Sequence, residues 1–174
     1  MFEARDVERL QTVLGDRSLD WCICGGWGID AVLGRQTRPH KDLDVLVEQD
    51  AYVPVRRVLA RHGFVVTEVW EESQELDGAG PDLERLGQTA VLLTDQQGRQ
   101  VDIHVYALRE AHVDLLWDTT FRFELADLAW PGQIGSTAVR CLSPDRHLDL
   151  KTGYELSNVE HADLAALQAF LAEL

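Results

Sequence analysis

The spacing of hydrophobic and polar positions changes repeatedly along this chain, and each change marks an element. Val7, Leu10, Val13 and Leu14 recur at helical spacing, which predicts an amphipathic helix from Ala4 to about Gly15. Leu19 to Cys24 is short, apolar and rich in Trp, Cys and Ile, the composition of a buried strand. Gly25 and Gly26 then turn the chain into a helix expected from about Trp27 to Leu33 and ended by Gly34. A polar connection, Arg35 to Lys41, leads to a second strand, Asp42 to Val47. Asp50 is a candidate cap for a helix with Pro54 in its first turn, Val55, Val58 and Leu59 inside and Gly63 at its end.

Three more strand-like runs follow: Phe64 to Trp70, Thr89 to Thr94, and Gln100 to Ala107, the last two joined by a hairpin turn over Asp95 to Arg99. Glu71 to Asp82 is acidic and broken by Gly78, Gly80 and Pro81, so it reads as a mobile loop. Past His112 the periodicity assigns nothing clearly. Ser143-Pro144 supplies a cap and a first-turn proline for a helix reaching Leu156. Asn158 is expected to cap a last helix whose Leu164, Leu167, Phe170, Leu171 and Leu174 form one apolar stripe. This alternation predicts an α/β (α+β) fold: a mixed twisted sheet flanked by helices. Residues 1–140 would be its core, and residues 141–174 a C-terminal helical segment packed on it.

Composition narrows the class. A chain of 174 residues that is 45% hydrophobic suits one domain with a helical appendage. No apolar run approaches the roughly 20 residues that span a bilayer. The start, Met1 to Asp6, lacks the basic-then-apolar order of a signal peptide. A soluble, cytoplasmic protein with no membrane partner is expected. Cys22, Cys24 and Cys141 cannot all pair and match neither zinc-finger nor redox spacing, which leaves reduced core thiols. With 30 acidic against 16 basic residues and a net charge of -14, the chain repels nucleic acid, and no basic patch compensates. That field attracts a cationic small molecule, although acidity also serves solubility alone.

The candidate chemistry lies on two strands and one bend. Alternation puts Asp42 and Asp44 on one face of their strand, and Asp102, His104 and Tyr106 on one face of theirs. If these strands are neighbours, three carboxylates converge, and such like charges call for cations. Hard oxygen ligands favour Mg²⁺, and two ions about 4 Å apart would span a phosphoryl displacement. Beside them, Gly25, Gly26 and Trp27 offer backbone N–H groups at a helix N-terminus to phosphate. Arg35, Arg38, His40 and Lys41 either offset triphosphate charge or form a solvated loop. His104 either orients Asp102 or is structural. Trp70 with Glu71, Glu72, Glu75 and Asp77 suits ammonium groups and a sugar face, or is simply solvated.

The run from Gly25 to Val45, GGWGIDAVLGRQTRPHKDLDV, resembles the signature of the nucleotidyltransferase superfamily, Gly-Gly followed by Asp-x-Asp on the next strand. Trp27 stands where many members carry serine, so a hydroxyl contact to phosphate is lost. The aminoglycoside and lincosamide nucleotidyltransferases are similar in having Trp there, with the same Gly-Arg-x-Thr-Arg-x-His run before the aspartates. Asp102-Ile103-His104 and Gly153-Tyr154-Glu155 extend the similarity, which is faint between Val65 and Gln100. The resemblance implies a Mg²⁺-dependent enzyme that moves AMP from ATP, or another nucleoside monophosphate from its NTP, to a hydroxyl of an antibiotic. An aminoglycoside is the first acceptor, a lincosamide the second. It implies that Asp42 and Asp44 bind metal, that Asp102 is either a third ligand or the general base, and that Gly25, Gly26, Trp27, His40 and Lys151 contact nucleotide. Trp70, Glu71 and Glu72 would face the acceptor. Two other readings are a metabolite or protein acceptor, as in toxin-like relatives, and a non-catalytic, antitoxin-like binder. The presence of all three carboxylates counts against the last.

Overall fold

The computed structural model describes residues 1–15, 21–72, 88–110, 112–118, 120–152 and 154–173. The side chains of Trp70, Glu71 and Glu72 and the acidic stretch expected to be a mobile loop from residue 73 onward lie outside the described residues, as does Gly153. The chain runs α1 (Ala4–Gly15), β1 (Trp21–Ile23), α2 (Gly25–Leu33), β2 (Asp42–Glu48), α3 (Gln49–Arg61), β3 (Val65–Glu72), β4 (Gln88–Thr94) and β5 (Gln100–Arg109). It continues through β6 (His112–Leu115), β7 (Arg122–Glu124), a short 3-10 helix (Leu125–Ala129), β8 (Trp130–Ile134), β9 (Thr137–Cys141), α4 (Pro144–Asp149) and α5 (Asn158–Leu171).

Among the described residues nine strands make one mixed sheet in the order β3-β4-β5-β2-β1-β9-β8, with β6 on β5 and β7 on β6. At its centre β2 and β5 run parallel, with Asp44 opposite Asp102 and Val45 opposite Ile103. Alternation sends Leu43, Val45, Val47, Val101, Ile103 and Val105 to one face, where they meet Leu10 and Leu14 of α1, Ile29 of α2 and Tyr52 and Leu59 of α3. The opposite face holds a smaller core of Cys22, Cys24, Leu46 and Tyr106 under Val113, Leu115, Phe123, Leu128 and Leu142. Asp42, Asp44, Asp102 and His104 belong to this second face, one or two alternations before Leu46 and Tyr106. They therefore stand beside the smaller core.

The mixed sheet flanked by helices agrees with the expected fold class, and the local differences have physical reasons. The cap of α3 is Glu48, whose carboxylate accepts from the Asp50 N–H at 2.6 Å, so Asp50 lies in the first turn. Pro54 sits one turn deeper than expected, inside the helix. Ser157, not Asn158, caps α5 through a reciprocal box with Glu160. The helix opened by Ser143-Pro144 stops at Asp149 rather than Leu156. The stretch past His112 is four short strands and the 3-10 helix, each too brief to establish a period. All three cysteines are buried free thiols. Among the described residues no helix is long and apolar enough to cross a membrane.

Candidate active site

The parallel pairing of β2 and β5 brings Asp44 and Asp102 side by side, and His104 follows on the same face. Ligand-capable atoms of Asp44, Asp102 and His104 all lie within 4.8 Å of one another. Asp42, one alternation earlier on β2, adds a fourth polar group to that face. Asp102 is 3% exposed, and its Oδ1 makes no hydrogen bond. Burial, reinforced by the charges of Asp44 and Asp42, pushes the Asp102 carboxyl up to about 8. Asp44 rises to about 6 through burial and then Asp42. Crowded, desolvated carboxylates with an unsatisfied oxygen are the arrangement a divalent cation relieves. Burial holds His104 down at about 4, and its ring lies 4.7 Å from that of Trp117.

The bend before α2 completes the other side. Cys24 N–H donates to the Asp44 carbonyl at 3.0 Å, and the helix's own bonding begins with Gly28 N–H to the Cys24 carbonyl. Gly25, Gly26 and Trp27 are thus the leading residues of a helix, whose N–H groups have no intrahelical acceptor. The two glycines answer a crowding that the sequence alone does not display. Gly25 has φ 58, and a Cβ there would run into the Asp44 carboxylate; one on Gly26 would run into His40 and Arg38. Trp27 is itself buried with its indole against His40, so only its backbone faces the bend.

The loop between α2 and β2 is tied down by carboxylates. His40 Nε2 donates to Asp30 Oδ2 at 2.5 Å, and Asp30 Oδ1 accepts from the Thr37 N–H and hydroxyl. Arg38 reaches Asp163 of α5 through Nε at 3.0 and 3.2 Å and through Nη2 at 2.6 Å. Arg35 and Lys41 are exposed.

A cleft of about 210 Å³ lies between strands and bend, lined by Gly25, Asp44, His104, Trp117, His147 and Lys151, with Cys24 and Leu150 behind them. Lys151 Nζ donates to Glu160 Oε1 at 2.8 Å, and the Tyr154 hydroxyl donates to the same oxygen at 2.9 Å. Hydrogen bonding from Lys151 draws Glu160 down to about 2. The structure therefore groups Gly25, Asp44, His104 and Lys151 around one cleft, with Asp102 next to Asp44 and His104 but not among the lining residues, and His40 packed on Trp27 at the bend. Sequence reasoning missed Glu68, Trp117 and His147. Glu68 pairs with Leu92 and Leu92 with Asp102, so the three form one row across the sheet, and Glu68 adds to the charge that raises Asp102. Only the strand order could have placed it there.

Comparison with known proteins fits this geometry. The lincosamide antibiotic adenylyltransferase LnuA, lincomycin-bound, matches with a TM-score of 0.74 at 18% identity over 95% of this chain and 96% of that one. ANT(2'')-Ia in complex with adenylyl-2''-tobramycin matches at 0.67 and 18% identity, over 98% and 90% of the two chains. A putative nucleotidyltransferase from Thermotoga maritima matches at 0.54 and 16% identity, over 98% and 92%. At these identities the likeness is one of fold. No curated protein matches the sequence. Residues 6–167, which include the bend, both carboxylate strands and most of α5, match the family model described as Aminoglycoside-2''-adenylyltransferase; the chain belongs to that family and is a nucleotidyltransferase.

Proposed function

We propose that the protein transfers AMP from ATP to a hydroxyl of a cationic antibiotic, an aminoglycoside before a lincosamide. The observation that carries this reading is the cluster of Asp44, Asp102 and His104 beside a cleft that Asp44 and His104 share with Gly25, at a helix start whose first N–H groups have no intrahelical acceptor. The family match supports the reaction, and the likeness to proteins bound to lincomycin and to adenylyl-2''-tobramycin supports the acceptor class. Asp42, Asp44 and Asp102 would hold Mg²⁺, as two ions. The buried, unsatisfied Asp102 Oδ1 and the raised Asp44 and Asp102 carboxyls fit such a cation. When bound, the metal offsets triphosphate charge and steadies the leaving pyrophosphate.

The chain's own groups do the rest. The N–H groups of Gly25, Gly26 and Trp27 bind the outer phosphates, helped by the positive end of α2. Lys151, kept at the cleft by Glu160, supplies a cation to the nucleotide, and His40 supports the bend from below. Asp102 completes the metal shell; its carboxyl, held up at about 8, also favours a second reading in which it takes the proton from the acceptor hydroxyl. Glu68 shares a cross-strand row with Asp102, and Trp70, Glu71 and Glu72 on the same strand are assigned to the acceptor side. Residues 1–140 act as the catalytic core and residues 141–174 as the helical segment that delivers Lys151. ATP and a small antibiotic are cytoplasmic partners, so the enzyme is placed there.

Labelled NTPs, Mg²⁺ and a panel of aminoglycosides and lincosamides test the proposal directly. Pyrophosphate release with an aminoglycoside is expected. No release with any small acceptor, or label transferred to a protein, refutes it. Asp102→Asn separates the two roles: lost turnover with Mg·ATP binding intact marks a base, whereas a lost metal marks a ligand.

A further inference from the structure

We infer that His104 is a nitrogen ligand to a divalent ion shared with Asp44 and Asp102, so that this position prefers Mn²⁺ or Co²⁺ over Mg²⁺. The inference rests on the proposed reading that a divalent cation binds beside β2 and β5. It departs from an all-carboxylate site because the tight group is not the three aspartates: His104 belongs to it, and Asp42 does not.

His104 Nε2 lies 3.9 Å from Asp102 Oδ1. That is too long for the hydrogen bond by which a histidine would simply orient the carboxylate. It suits two donors on one ion, since ligands each about 2.1 Å from a metal stand about 3 Å apart when adjacent and about 4.2 Å when opposed. Asp102 Oδ1, buried and without a hydrogen-bond partner, faces the same space. Trp117 packs on the imidazole at 4.7 Å and limits its rotation, so the ring edge stays toward the carboxylates. Mg²⁺ is selected by oxygen ligands, whereas an imidazole among carboxylates suits Mn²⁺, Co²⁺ or Zn²⁺. Asp42 and Asp44 then remain as the oxygen-only pair for a second ion on the outer side.

The test uses the whole protein loaded with Mn²⁺ alone, without nucleotide or antibiotic. Pulsed electron paramagnetic resonance is expected to show ¹⁴N modulation from a coordinated imidazole, converted to the ¹⁵N pattern in protein labelled with ¹⁵N-histidine. The modulation should vanish in His104→Gln and His104→Asn and persist in His147→Gln, which alters another histidine of the cleft. Mn²⁺ and Co²⁺ affinity should fall about tenfold or more in the His104 variants, with Mg²⁺ affinity nearly unchanged. Folding of each variant is checked by its thermal transition, and should both His104 variants unfold, loss of the nitrogen signal in protein whose Trp117 is replaced by Ala is the supporting result and its persistence the opposing one. Bound Mn²⁺ without nitrogen modulation, modulation that survives at position 104, equal losses for Mg²⁺ and Mn²⁺, or no Mn²⁺ binding overturns the inference. None of these readouts involves transfer, so a protein that fails to release pyrophosphate can still display the nitrogen signal.

Discussion

At the scale of single residues, the site depends on groups whose conformation or charge would be costly elsewhere. Gly25 combines a left-handed φ of 58 with an Asp44 carboxylate in the space of its missing Cβ. Gly25→Ala pays a left-handed penalty of about 1–2 kcal/mol and displaces the carboxylate as well. Urea unfolding should register the first and Mg²⁺ titration the second; a variant with wild-type metal affinity would show that Asp44 is not the ligand. Glu160 predicts a pH dependence. Its carboxyl is held at about 2 against an ordinary 4.5, chiefly by the hydrogen bond from Lys151. Between those values the unfolded chain binds the proton and the folded chain does not, so this stabilisation is complete above about pH 4.5 and disappears as pH falls toward 2. Glu160→Gln should flatten that part of the urea-midpoint profile. His147 acts in a higher window with the same sign. Burial lowers it to about 3 from 6.5, so the unfolded chain gains a proton first and stability declines as pH drops below 6.5. His147→Gln should remove its own share of the pH dependence between pH 6.5 and 5, where Glu160 contributes little, His104 adds a decline of the same sign and the raised Asp44 and Asp102 carboxyls oppose it.

At the scale of elements, two polar ties attach the C-terminal helix to the site. Arg38 to Asp163 joins α5 to the loop before β2, and Lys151 to Glu160 joins it to the cleft. Asp163 is almost fully buried while Arg38 is part-exposed, so Asp163→Asn should cost about 2 kcal/mol, below the figure for a wholly buried pair. Because Arg38 also packs on Gly26, the KM for nucleotide should rise more than kcat falls; a change in kcat alone would separate the tie from the phosphate side. The shared faces of β2 and β5 were legible in advance, since Asp42, Asp44 and Asp102 each sit in an alternating run long enough to fix a face; that the two strands are neighbours was not, because strand order leaves no local pattern. The helix start at the bend was legible too, from the glycines. The strands past His112 were not, because three to five residues give too few alternations to exclude a loop. Glu68 and Trp117 were hidden for another reason: Glu68 reaches the site through strand order, and Trp117 through the antiparallel register of β6 on β5, which carries it back to His104. The cap of α3 was misassigned because Glu48 and Asp50 both have the right chemistry and only backbone geometry chooses between them.

At the scale of the molecule, the net charge of -14 makes opposite demands on the two substrates the proposal requires. A polycationic aminoglycoside is drawn toward the protein, while Mg·ATP, itself anionic, is repelled until it reaches the helix start and Lys151. Screening therefore separates them. At 0.15 M salt the Debye length is about 8 Å and at 0.01 M about 30 Å, so long-range steering fades over that range while contacts inside the cleft persist. Raising salt at fixed Mg²⁺ should lower kcat/KM for an aminoglycoside and leave or slightly lower the KM for ATP. A lincosamide, with far less positive charge, should lose much less than the aminoglycoside. Steady-state kinetics with both acceptors at two ionic strengths measure this directly. Equal salt dependence for the two would mean that the acidity keeps the protein in solution and does not select the acceptor, which would leave Glu68 and its neighbours on β3 without a role in recognition.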